Sequence, residues 1–221
     1  MTQRVLITGT ARNVNKHLQA AFLAIGAQVY CIDSMPATMH PLSHPIDTST
    51  WAMYRSFPTS FAQAEATMGG IDTLVNIGVH HTLAPLPVTN AEQLHARIAA
   101  YTGAMGISCA AGIPFLQRQP GNKSMVNIWL PPTETVETPD TFAQNDCIDL
   151  ITTQTKQLAH AHARAGILVT TLVQHAVTGY DIHADASQIP AWVLFLTSGQ
   201  TITANGNVIH LGLEPHRYTS A

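Results

Sequence analysis

The sequence predicts an α/β fold: a doubly wound parallel sheet of about seven strands with helices on both faces, in one domain over residues 1–221. Three observations predict it. Apolar runs of strand length alternate with longer stretches of helical periodicity from end to end. The opening run Val5-Leu6-Ile7 breaks at Thr8-Gly9, a helical pattern follows in Leu18, Ala21, Phe22 and Ile25, and a second run, Val29 to Ile32, ends on Asp33. Gly166 to Val173 is an unbroken stretch of apolar and β-branched residues, suited to a strand covered on both sides.

Taken in order, strand 4–8 leads to a helix over 14–26 that stops at Gly26. A strand over 28–32 follows. Pro36, Pro41 and Pro45 exclude a regular helix from 34–46. Pro45 to Thr48 reads as a short strand. A helix over 49–68 ends at Gly69-Gly70, and Ile71 to Gly78 is the next strand. A loop over 79–88 precedes the helix Ala91 to Gln117, where Leu94, Ile98, Tyr101, Met105 and Cys109 make one apolar stripe. Ser124 to Leu130 is a strand stopped by Pro131-Pro132. Asp140 to Ala165 is a helix, and Gly166 to Val173 the sixth strand. A short helix, Pro190 to Thr197, a turn at Asn205-Gly206 and a last strand, Asn207 to Leu211, complete the order.

Composition narrows the function classes. The chain is 46% hydrophobic, yet no uninterrupted apolar stretch approaches the roughly 20 residues needed to span a bilayer. No membrane partner is expected. The N-terminus shows no basic segment followed by a long apolar one, so the expected location is cytoplasmic. Charged residues make up 10%, against about 25% in an ordinary domain. With only 10 Lys and Arg and no basic stripe, nucleic acid is not expected as a partner. A surface so poor in charge must be covered by Ala, Thr, Gln and His or be hidden in contacts, a hint of oligomerisation. The three cysteines, Cys31, Cys109 and Cys147, lie far apart and do not suggest a disulfide framework. His40 and His44 read as solvated loop histidines, His160 and His162 as surface residues, and no metal site is expected.

Several phrases, in order, resemble the short-chain dehydrogenase/reductase (SDR) family, whose members have a Rossmann-type fold. They are Val5-Leu6-Ile7-Thr8-Gly9, Gly70 to Gly78, Met125-Val126-Asn127-Ile128, Gln157-Leu158-Ala159, Gly166 to Val169, Val193 to Ser198 and Thr201-Ile202-Thr203. Together they span almost the whole chain. The family's cofactor turn is Thr-Gly, three residues, then Gly-x-Gly. Here the last two glycine positions hold Asn13 and Asn15. Asn tolerates the backbone angles of such a turn, but a side chain at the second glycine obstructs close approach to a pyrophosphate. By resemblance, Gly9, Asp33, Asp47 and Asn76 are the positions that would hold a nucleotide. An acid at Asp33 favours NAD over NADP. The same residue types are ordinary strand-end caps, so the expected cofactor is none or weakly bound NAD.

The family's catalytic set is a Ser, a Tyr-x-x-x-Lys pair and a helix Asn. Alignment places the Ser position at Leu130, the Tyr at Gln144, the Lys at Ile148 and the Asn near Ala100 or Tyr101. None of these side chains can serve as a proton relay. No Tyr lies between 102 and 179, and the helix over 140–165 has Lys156 alone. The family's Pro-Gly after the sixth strand is Gln174-His175 here. The leading expectation is therefore a catalytically inactive structural or regulatory subunit of an SDR homo- or hetero-oligomer. Two alternatives stay open: an NAD-dependent oxidoreductase or other enzyme with a rebuilt site using His80, His81 or His175, and a nucleotide-binding module without turnover.

Overall fold

The computed structural model describes residues 2–9, 12–33, 43–45, 50–78, 91–130, 141–175 and 188–212. Seven strands form one sheet: β1 (Arg4–Gly9), β2 (Gln28–Asp33), β3 (Ser43–Pro45), β4 (Thr73–Gly78), β5 (Lys123–Trp129), β6 (Ile167–Gln174) and β7 (Val208–Leu211). Their order is β3-β2-β1-β4-β5-β6-β7, and every neighbouring pair is parallel. The helices between them are α1 (Arg12–Ala24), α2 (Thr50–Met68), α3 (Ala91–Gln117), α4 (Thr141–His162) and α5 (Gln188–Thr197). This is the doubly wound Rossmann-type sheet that the alternation of runs predicts.

The central strands are mostly apolar on both faces because each face carries helices. Leu6, Leu74, Met125, Val169 and Val173 pack with Phe61, Leu116 and Ile151 of α2, α3 and α4. Val5, Ile7, Val75, Val126, Ile128 and Leu172 pack with Leu18, Phe22 and Val193 of α1 and α5. Alternate residues of one strand thus enter two separate cores, the geometry that a period of two imposes. At the amino edge of the sheet, Arg4 grips Asp72 through Nε and Nη2, at 2.8 and 2.6 Å, and reaches Gln119 Oε1 at 3.0 Å. That clamp ties β1 to β4 and to the segment after α3.

Several boundaries differ from the sequence expectation. The first helix is 12–24 rather than 14–26. Gly26 N–H bonds back to Leu23 O and Ala27 N–H to Phe22 O, so the last two expected residues form the terminating turn. The third strand includes Ser43–Pro45, pairing Cys31, Ile32 and Asp33 of β2 with Ser43, His44 and Pro45; of the expected strand Pro45 to Thr48, residues 46–48 lie outside the described residues. The helix expected over 140–165 ends at His162, because the chain tightens into a 3₁₀ turn at Ala163–Ala165 and leaves it through Gly166 at φ 71°. Met105 and Cys109 of the expected stripe on α3 are buried.

Candidate functional site

In the sheet β1 lies between β2 and β4, and the chain leaves β1 toward one face and β4 toward the other. Open α/β sheets bind ligands at the carboxyl ends of two such strands. Gly9 ends β1 there with φ 121°, and a Cβ on it would collide with the carbonyl oxygen of Ile77. Only glycine fits, for both reasons. Asn15, in the first turns of α1, is 4% exposed and donates from Nδ2 to Gly9 O at 2.9 Å. Its Oδ1 is buried with no hydrogen-bond partner. An amide therefore holds the turn where the family pattern has a glycine.

Below this rim runs a row of buried polar side chains. Register aligns Thr8 with Asn76, Asn76 with Asn127 and Asn127 with Thr171 across β1, β4, β5 and β6. Parallel strands in register point all four to one face. Asn76 Oδ1 accepts from Thr8 Oγ1 at 2.8 Å and from Ser108 Oγ of α3 at 2.6 Å. Its Nδ2 donates to Asn127 Oδ1 at 2.9 Å and to Cys109 Sγ at 3.3 Å. The Cys109 thiol donates to Asn127 Oδ1 at 3.3 Å. At the far end Thr155 of α4 and Thr171 share a hydrogen bond of 2.7 Å. Burial pushes the Cys109 thiol up to about 12, against the opposing pull of its bonds to Asn127 and Asn76. It is a neutral donor here and not a nucleophile.

The expected site residues are thus placed as follows. Gly9 stands at the switch point. Asn76 is next to it in the ladder, but every donor and acceptor of its side chain is spent inside the protein. Asp33 closes β2 and Gln144 lies in the first turn of α4, both described through their backbone only. Asp47, His80 and His81 lie outside the described residues. Leu130 is buried in the core beside Ile128, and Ile148 packs against the opposite core. Sequence reasoning missed Ser108, Thr155, Thr171 and His210. Ser108 carried one signal, a hydroxyl beside Cys109 on an otherwise apolar stripe.

His175, just past β6, meets His210 of β7, with Nε2 and Nδ1 2.7 Å apart. Burial holds both imidazoles below the usual histidine range, and His210 adds to the effect at His175. Among the described residues no three metal-type side chains converge.

The architecture is that of known enzymes. A short-chain dehydrogenase/reductase from Serratia marcescens superposes with a TM-score of 0.69 at 16% identity, covering 95% of both chains. The chain has the short-chain dehydrogenase/reductase fold. Two reductases of the same SDR architecture come from Brucella melitensis. One is a 3-oxoacyl-[acyl-carrier protein] reductase (TM-score 0.74, 18% identity, 95% and 96% coverage). The other is a 3-ketoacyl-(acyl-carrier-protein) reductase complexed with NADH (0.70, 16%, 95% and 97%). No protein-family model matches this chain, and no curated protein sequence matches it. The SDR fold is therefore kept at low sequence identity.

Proposed function

We propose that this chain is an SDR-fold subunit with no hydride-transfer chemistry of its own, acting through assembly with copies of itself or with an active SDR subunit. The observation that carries the reading is the filling of the expected relay positions. Leu130 is a core residue, and Ile148 packs against apolar neighbours. Neither can give, take or steer a proton. Among the described residues, the polar groups that gather near the rim, from Thr8 to Thr171, face inward and bond to one another or to α3 and α4, which holds the sheet together.

The cofactor turn fits a dinucleotide poorly. Asn15 preserves the turn by bonding to Gly9 O, but it leaves a bare acceptor oxygen at the amino end of α1. A side chain at this position, where the family pattern has a glycine, obstructs the close approach of a pyrophosphate. NAD is bound weakly or not at all in this reading. Apolar surface supports the assembly half. Leu150 is exposed on α4, as are Phe195 on α5 and Ile202 just before β7. The SDR resemblance makes these elements packing surfaces.

The test is direct. The purified chain, given NADH or NADPH and a panel of ketones and aldehydes, is expected to show no cofactor-linked turnover. Expressed with its genomic neighbours, it is expected to co-purify with itself or with an intact SDR subunit. Reduction of any carbonyl by this chain alone overturns the proposal.

A further inference from the structure

We propose that His175 and His210 form a two-imidazole chelate for a borderline divalent transition-metal ion, of the Cu²⁺, Ni²⁺ or Zn²⁺ kind, at the carboxyl rim of β6 and β7. The two rings meet edge to edge. Their centres are 5.0 Å apart and their planes 28° from parallel, while the facing nitrogens are 2.7 Å apart. The line between the nitrogens therefore runs close to both ring centres, and each ring turns its in-plane nitrogen toward the other. In-plane lone pairs are what imidazole offers a metal.

Both residues are anchored by backbone. Val173 stands opposite His210 in the β6–β7 ladder, and His175 N–H bonds to Leu211 O at 2.9 Å. The side chains lie on one face of adjacent strands and remain reachable from solvent, since His175 is half-buried and His210 exposed.

The exchange balances without loss of a proton. One ring carries the hydrogen between the two nitrogens. On binding, that ring takes its proton on the far nitrogen, Nδ1 if it is His175 and Nε2 if it is His210. Both facing nitrogens are then free to ligate. Metal–nitrogen bonds of about 2.0–2.1 Å at a tetrahedral angle need the nitrogens roughly 3.3 Å apart. The pair must open by roughly 0.6 Å and each ring must tilt by about 35° off the line between them so that both lone pairs meet at the ion, side-chain rotations at the edge of the sheet, where β7 has no further strand beside it. Water fills the remaining positions, and imidazole favours these ions over Mg²⁺ or Ca²⁺.

The full-length chain is titrated with Cu²⁺ alone and followed by electron paramagnetic resonance, and with Ni²⁺ alone by thermal midpoint. One ion per chain, a two-nitrogen coupling pattern and a raised midpoint are expected. His175→Ala and His210→Ala should each weaken binding by about tenfold or more. His210→Gln keeps the volume and a hydrogen bond, so it separates lost ligation from lost folding. The double variant His160→Ala/His162→Ala, at the end of α4, should bind as the native chain does. The proposal fails if no ion binds, if binding survives loss of both His175 and His210, or if the α4 double variant abolishes it.

Discussion

Asn76 shows how much one side chain can organise. It sits 1% exposed in the middle of the sheet, with four hydrogen bonds to Thr8, Ser108, Asn127 and Cys109. A buried amide is favourable only when all its groups are paired, and here they are. Asn76→Ala takes a hydrogen bond from each of four partners in a dry core and leaves Thr8 with Ser108, and Cys109 with Asn127, only each other. We expect a loss of about 2–4 kcal/mol in unfolding free energy, read from urea midpoints at unchanged slope. A loss below about 1 kcal/mol would mean that water enters the site and re-pairs those groups. Part of this row was legible in the sequence. Asn76 is a position that the SDR resemblance gives to a nucleotide, and Asn127 enters only as part of the phrase Met125 to Ile128. Thr171 does not stand out, because a threonine inside a β-branched run looks like any other strand residue. What made the row was register between strands far apart in the chain, and single-strand periodicity carries no register. His210 was hidden for the same reason: its partner lies on the neighbouring strand.

At the scale of elements, α3 is held against the sheet by the absence of side chains. A Cβ on Gly112 would strike Leu74 Cδ2 of β4 and stand 3.0 Å from Phe61 Cε1 of α2. On Gly106, two turns earlier, the nearest atom would be Gln154 Nε2 of α4 at 3.8 Å. Helix propensity alone favours alanine over glycine by about 1 kcal/mol at both positions. Packing reverses the sign at one of them. Gly106→Ala should stabilise the protein by about 0.5–1 kcal/mol, the propensity gain with room to spare. Gly112→Ala should destabilise it by about 1–3 kcal/mol, as overpacking a filled core does. Thermal and urea unfolding of the two variants decide the matter, and equal shifts of the same sign would refute the packing argument. Elements were the most legible level in the sequence, since apolar runs and glycine stops placed nearly all of them. The misplaced ends, at Gly26 and His162, are where hydrogen bonds in turns, and not hydrophobic pattern, settle the boundary.

For the whole molecule, a fold is retained at 14–18% identity to enzymes of the same architecture, while two of the positions that the resemblance gives to the family's reaction, Leu130 and Ile148, pack among apolar side chains. Fold and chemistry are separable because they use different residues: the sheet needs its two cores, and a reaction would need the rim. If assembly is what this chain does, its surface should show it. Phe195 is 53% exposed and packs edge-on against a half-buried Trp192, and Ile202 is 64% exposed. Phe195→Glu/Ile202→Glu places two charges there without touching either core. We expect the native chain to elute as an oligomer with a concentration-dependent midpoint, and the double variant to elute at lower mass with native circular dichroism. Charges buried without partners at an interface cost several kcal/mol, enough to dissociate an assembly of ordinary affinity. A double variant that keeps the native mass would move the interface to the α3–α4 side, where Leu150→Glu is the corresponding probe. If both variants and the native chain elute as the same monomer, self-assembly is ruled out and only a hetero-partner can satisfy the reading.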